Sequence, residues 1–194
     1  MKAILVYCGA NSGNKPIYKE TAKNLGLMFV KKGIRLIYGG GSLGLMGEIS
    51  TTVMENGGES TGIIPHFLDK LEVGNPNLTE VIKVETMHQR KALMEELCDA
   101  IITIPGGYGS MDELFEIMSW SQLGLHNKPV GLLNVNRFYD HLIQQLDVMV
   151  EEGFLRAENR ALLIIDETID GLLSKMEAFV PIQNTPKWLD KSGI

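Results

Sequence analysis

Two cysteines, at positions 8 and 98, are all that this 194-residue chain carries. A disulfide framework is therefore not expected, and free, largely buried thiols in a cytoplasmic protein are. Cys8 should close one strand and Cys98 should precede another, toward opposite edges of a parallel sheet. Basic runs are also scarce. No stretch of lysine or arginine exceeds two residues, and 18 basic against 24 acidic side chains leave a net charge of −6 with a pI near 5.3. That balance argues against nucleic-acid binding through phosphate neutralisation, and small molecules are the expected partners. No apolar run approaches the roughly 18 residues of a membrane span, and the run Met1–Gly9 is too short for a signal-peptide core.

Several nucleotide and metal signatures are missing as well. No G-x-x-x-x-G-K-[ST] stretch occurs, so P-loop chemistry has no support. The loop Gly9-Ala10-Asn11-Ser12-Gly13 is not G-x-G-x-x-G, and Tyr38-Gly39-Gly40 stands where a ribose-binding acid would follow the second strand, which argues against NAD. The four histidines, His66, His88, His126 and His141, are scattered without i, i+4 spacing or nearby cysteines, so neither a metal site nor a cofactor is expected.

What is present is an alternation of short, continuous apolar runs with longer segments of helical period, the pattern of strands buried on both faces. Strands are expected at Lys2–Cys8, Arg35–Tyr38, Ser60–Ile64, Val81–Val84, Ala100–Ile104, Val130–Asn134 and Leu162–Ile165. Helices are expected at Pro16–Lys32, Leu45–Asn56, Met87–Leu97, Met111–Leu123, Tyr139–Glu152 and Thr168–Phe179. Glycine just past Lys31-Lys32 and past Glu55-Asn56 marks two helix ends. Right-handed crossovers then give a single-domain α/β fold over residues 1–180, a Rossmann-like doubly wound parallel sheet of about seven strands, followed by a tail, residues 181–194. Phe67–Thr79, the longest aperiodic stretch, reads as a mobile loop beside the site. Trp188 gives the tail one docking residue for the domain or a partner subunit.

Ligands of such sheets bind outside the carboxyl ends of the strands. Two of those places are rich in glycine, since eight of the 21 glycines fall in Gly39–Gly47 and Pro105–Glu113. Backbone without a side chain can approach a ligand closely, and a helix N-terminus offers free N–H groups to a phosphate. A phosphorylated ligand is the expectation. Beyond the second window, Met111, Leu114, Phe115 and Met118 form a core-facing stripe. Glu113 has two readings: Ser110-Met111-Asp112-Glu113 has the spacing of a capping box, or the carboxylate faces the sugar of the phosphorylated ligand.

A third constellation is Thr86-Met87-His88-Gln89-Arg90-Lys91, opening the helix after the fourth strand. Thr86 and Gln89 have capping-box spacing. Two adjacent cations in a first turn oppose the helix dipole, so an anionic ligand or a carboxylate should favour them there. A solvated surface with Lys91 paired to Glu95 is the plainer alternative.

Taken together these residues resemble the LOG family of cytokinin-activating phosphoribohydrolases, often labelled lysine-decarboxylase-like, whose marks are P-G-G-x-G-T-x-x-E and an upstream M-x-x-R-K. The marks stand here as Pro105–Glu113 and Met87–Lys91, with Ser110 keeping the hydroxyl of the family's threonine. The likeness extends over Tyr38–Gly47 and Ser119–Val135, and runs from the first strand to about Phe154. The resemblance implies hydrolysis of the N-glycosidic bond of a purine nucleoside 5′-monophosphate, with or without an N6 modification, to free base and ribose 5-phosphate. It also implies a cytoplasmic homodimer with sites near the subunit interface. Arg90 and Glu113 would be the catalytic pair. Gly106, Gly107, Gly109 and Ser110 would grip the 5′-phosphate, with Lys91 and Ser119 as weaker contacts. Gly40, Gly41, Met87, Tyr108, Met111 and Asp112 complete the implied substrate-binding set. The label lysine decarboxylase would instead require pyridoxal phosphate and a Schiff-base lysine, for which no recognisable setting exists. A non-catalytic nucleotide or phospho-cofactor binding module is the remaining alternative.

Overall fold

The computed structural model describes residues 1–69, 75 and 77–181. Strand β1 (Ala3–Tyr7) leads into helix α1 (Pro16–Lys32), which starts on proline, whose missing N–H costs nothing at a helix start. It stops at Gly33, in the left-handed region at φ 65°, whose N–H reaches back to the carbonyls of Phe29 and Val30. Then follow β2 (Arg35–Tyr38), α2 (Gly44–Glu55), β3 (Ser60–Pro65), the one-turn α3 (His66–Asp69), β4 (Glu80–Val84) and α4 (Met87–Glu96). The second half runs β5 (Ala100–Thr103), α5 (Tyr108–Gln122), β6 (Val130–Leu133), a 3-10 turn at Val135–Arg137, α6 (Asp140–Glu151), α7 (Ala157–Arg160), β7 (Leu163–Asp166) and α8 (Ile169–Glu177).

All seven strands are parallel, in the order β4-β3-β2-β1-β5-β6-β7. The expected α/β doubly wound sheet is therefore present, and the strand order reverses between β1 and β5. Along β1, successive side chains feed two separate cores. Ile4 and Val6 join Leu25, Phe29, Ile49 and Leu172 from α1, α2 and α8, whereas Leu5 and Tyr7 join Met94, Leu114, Ile117 and Leu146 from α4, α5 and α6. A strand covered on both faces needs apolar residues at every position, which is why these runs are continuous. Cys8 and Cys98 are free and buried, but not toward opposite edges of the sheet as expected: β1 and β5 are neighbouring central strands, and the two thiols lie at their opposite ends, in opposite cores.

Three further expectations need correction. Helix α5 starts one turn before Met111, because Gly107 takes the extended N-cap conformation and Tyr108 the first helical position. Its buried face is Ser110, Leu114, Ile117 and Ser121, with Met111 and Met118 at the flanks and Phe115 turned outward, 40% exposed. The lysine paired with Glu95 is Lys128, at 2.6 Å, not Lys91. The proposed loop at 67–79 lies only partly within the described residues, and the tail beyond Pro181 lies outside them.

Candidate active site

The topology places a cleft of about 470 Å³ where the strand order reverses. Its floor is two backbone segments that touch. Gly9, just past β1, donates to the carbonyl of Pro105, just past β5, at 3.1 Å. A Cβ on Gly106 would lie 3.0 Å from the Gly9 nitrogen and 2.0 Å from Ser110 Oγ, so only glycine lets the two turns meet. The loop Gly9–Gly13 forms one wall, Tyr108, Gly109 and the first turn of α5 the other. At Gly107 and Gly109 a Cβ would meet nothing within 4 Å, so these glycines open onto space rather than onto packing.

The expected capping box at Ser110–Glu113 does not form. The N-cap is Gly107, which has no side chain to offer, and Ser110 already sits inside the helix. Glu113 is thereby freed from a capping role, and it lines the cleft together with Ser110 and Asp112. Burial pushes its carboxyl up to about 7; the Arg90 guanidinium pulls the other way, Asp112 and Glu116 add to the rise, and Lys91 opposes it.

Arg90 reaches the same cleft from α4. The Thr86–Gln89 capping box is formed, with Thr86 Oγ1 accepting from the Gln89 N–H at 3.1 Å and Gln89 Oε1 accepting from the Thr86 N–H at 3.3 Å. It starts α4 so that Arg90 points inward, 6% exposed. The guanidinium is held by backbone: Nε donates to the Ile63 carbonyl at 3.1 Å and Nη2 to the Gly39 carbonyl at 2.7 Å, while Nη1 lies 3.7 Å from Met87 Sδ. No ion pair joins Arg90 to Glu113 among the described residues. Two carbonyl bonds leave N–H donors of the five-donor fork for a ligand.

Of the residues singled out in the sequence, Met87, Arg90, Gly106, Gly107, Tyr108, Gly109, Ser110, Asp112 and Glu113 come together around the cleft. Gly40, Gly41, Lys91, Met111 and Ser119 are not among its lining residues. Lys91 is buried in ion pairs with Asp112 and Glu116, at 3.1 and 2.9 Å. Ser119 bonds back to the Phe115 carbonyl. Met111 packs against the core beside α5. The first glycine window serves chain packing: Gly44, at φ 63°, has the Ala10 backbone 2.3 Å from where a Cβ would stand, and Gly47 has the Ser42 carbonyl oxygen at 2.0 Å.

Sequence reading missed Cys8 and the Gly9–Gly13 loop, Tyr18, Leu45, Met46 and Phe138. The loop had a signal, its position directly after the central strand. Tyr18 and Phe138 had none; they meet edge to face, ring centroids 5.8 Å apart, only because α1 and the turn after β6 are brought together. That turn holds Asn136 and Arg137 at φ 51° and 60°, a left-handed pair that aims Phe138 at the cleft.

The family model described as possible lysine decarboxylase matches residues 46–176. Cytokinin riboside 5′-monophosphate phosphoribohydrolase LOG2 of Arabidopsis thaliana is 47% identical over 180 residues, covering 93% of this chain and 84% of the relative. The chain belongs to the LOG family. Another relative, cytokinin riboside 5′-monophosphate phosphoribohydrolase LOG of Oryza sativa subsp. japonica, is 46% identical over 180 residues, 93% of this chain and 74% of that one. Among solved structures, the LOG-family chain superposes on the molybdenum cofactor binding protein of Rippkaea orientalis with a TM-score of 0.68 at 19% identity, over 92% of this chain and 97% of that one. The molybdenum cofactor carrier protein of Chlamydomonas reinhardtii gives 0.67 at 18%, over 91% and 96%. At such identities the likeness is one of fold. Pyridoxal phosphate, which the decarboxylase label would imply, does not fit: among the described residues no lysine lines the cleft to form a Schiff base.

Proposed function

We propose that this LOG-family chain hydrolyses the N-glycosidic bond of adenosine 5′-monophosphates, with or without an N6 substituent, to the free base and ribose 5-phosphate. The observation that carries the reading is the convergence of Glu113 and Arg90 on one cleft with the side-chain-free N-terminus of α5. The first N–H groups of α5, at Tyr108, Gly109 and Ser110, suit a 5′-phosphate because the helix lacks a side-chain cap and its dipole favours an anion there. Phosphate binding then orients the ribose against Glu113, turning remote binding energy into positioning.

Glycosidic cleavage develops positive charge on C1′ and the ring oxygen. The Glu113 carboxylate stabilises that charge and accepts a proton from the attacking water, whose oxygen bonds to C1′ as the C1′–N bond breaks. The electron pair of that bond leaves with the base, which takes up a proton. Arg90, fixed by the carbonyls of Ile63 and Gly39, donates its remaining N–H groups to substrate. The relatives named as phosphoribohydrolases of cytokinin riboside 5′-monophosphate support the substrate class.

A homodimer is part of the same reading, supported by the outward apolar side chains Phe115, Leu123, Leu125 and Phe154, the last 88% exposed. A cytoplasmic location is supported by two free, buried thiols, and no helix among the described residues is long and apolar enough to cross a membrane. The test is to incubate the protein with AMP and with N6-isopentenyl-AMP and to quantify base and ribose 5-phosphate. Stoichiometric release of both from at least one substrate is expected; tight binding of each nucleotide with no product overturns the reading in favour of a binding module.

A further inference from the structure

The residue beside Arg90 has its own place in the site. Lys91 is buried, and its Nζ lies 3.1 Å from Asp112 Oδ2 and 2.9 Å from Glu116 Oε2. Glu116 stands three residues after Glu113 on the same side of α5, and Asp112, the residue before it, lines the same cleft; the charges of both disfavour ionisation of the Glu113 carboxyl. Glu113 therefore meets Arg90 and Lys91 from α4, and Asp112 and Glu116 from its own helix. From β1 it meets Tyr7 and Cys8, which burial keeps uncharged at neutral pH. Burial works against the charge of Lys91 too, but its hydrogen bonds to Glu116 and Asp112 outweigh that and hold the ammonium protonated.

We propose that Lys91 is a positioning residue: by joining α4 to α5 through Asp112 and Glu116, it neutralises the two acids that flank Glu113, favours the ionised form of that carboxylate and keeps it facing the cleft beside Arg90. The proposal rests on the reading of Glu113 as the group acting at the ribose. Without Lys91, Glu113 shares little more than one helical turn with two uncompensated carboxylates, and like charges at that range make each hold its proton more tightly. The ammonium also ties together the two helices that carry Arg90 and Glu113.

The experiment is kcat/KM against pH, with AMP and N6-isopentenyl-AMP, for the full chain and for Lys91→Met, Lys91→Arg, Lys91→Met/Glu116→Gln and Glu113→Gln. In Lys91→Met the acid limb moves to higher pH by about half a unit or more. Lys91→Arg keeps the charge and leaves the limb near its original position. The double variant, with one flanking acid removed, brings the limb back. A Lys91→Met enzyme of reduced activity whose limb does not move, or a displaced limb that Glu116→Gln fails to restore, overturns the proposal and leaves Lys91 as a helix tether. Should Lys91→Met not fold, Glu116→Gln alone decides, since removing a flanking acid must lower the limb and an unmoved limb refutes the idea. Glu113→Gln separates the two readings: if it turns over substrate, both the role of Glu113 and this proposal fall, whereas an inactive Glu113→Gln beside an unmoved limb sinks the lysine proposal alone.

Discussion

Gly39 and Arg90 compete for one volume: a Cβ on Gly39 would stand 2.0 Å from Arg90 Nη2 and 3.1 Å from its Cζ. The glycine at the end of β2 is what lets the guanidinium lie flat against backbone carbonyls, and its own carbonyl is one of the two acceptors. The cation of the cleft is thus oriented by main chain rather than by Glu113.

Gly39→Ala should therefore behave as an active-site variant although its side chain is one methyl group. Displacing the guanidinium by about an ångström is expected to lower kcat about 10- to 100-fold while the far-UV spectrum and oligomeric state stay unchanged. Wild-type turnover in Gly39→Ala would show that Arg90 does not need its present seat.

Arg90→Lys keeps a charge but has no planar fork with which to bridge the Ile63 and Gly39 carbonyls 27 and 51 residues away in sequence. A loss of about 100-fold or more in kcat is expected, measured as release of adenine from AMP.

Glu113→Gln should retain the fold, because Gly107 and not Ser110 or Glu113 starts α5. Base release is expected to fall by about two to four orders of magnitude. Its stability carries a sign that can be checked. Burial raises the Glu113 carboxyl in the folded protein from 4.5 to about 7, so the unfolded chain ionises first as pH rises. Folding is then progressively penalised between pH 4.5 and 7, and the penalty persists above that. Glutamine cannot ionise, so the melting temperature of Glu113→Gln should exceed the wild type's at pH 8 and match it near pH 4.

The same shift predicts the pH profile of catalysis. If the ionised carboxylate is the working form, kcat/KM rises with pH and its acid limb reports a group titrating near 7, well above an ordinary glutamate. A flat profile from pH 5 to 8 would contradict the assignment.

His126 supplies a separate acid sensitivity, in stability alone. Its Nδ1 accepts the Lys128 N–H at 3.1 Å, so the proton sits on Nε2, which faces the Ile117 carbonyl at 3.0 Å. Burial, partly offset by the Ile117 carbonyl, lowers its affinity for a second proton. The unfolded chain takes that proton up below about pH 6.5, so stability falls as the pH drops from there. Urea midpoints at pH 7.5 and 5.5 should differ in that direction, and less so in His126→Gln.

Much of the architecture was legible because its causes are local. Apolar runs such as Ile4–Tyr7 and Ala100–Thr103 are unbroken only when a strand is covered on both faces, and Gly33 or the Thr86–Gln89 pair mark helix ends through their own backbone chemistry. The motif residues Arg90 and Glu113 were named from the chain alone. Their surroundings were not. Whether Glu113 capped its helix depended on where α5 begins, one turn away from where spacing suggested, and the partners of Lys91 lie on a different helix from the Glu95 that periodicity offered.

Residue order, then, determined a parallel doubly wound sheet, its crossovers and the glycine-rich turns that follow β2 and β5, because backbone propensity and hydrophobic period act within a few residues. Tertiary structure alone decided which of those turns opens onto the cleft. Gly39, Gly44 and Gly47 after β2 are filled by Arg90, Ala10 and Ser42, Gly107 and Gly109 after β5 stay open, and Tyr18 meets Phe138 at the cleft lining. Close packing between segments distant in sequence sets that difference, and no local pattern encodes the space that another part of the chain will occupy.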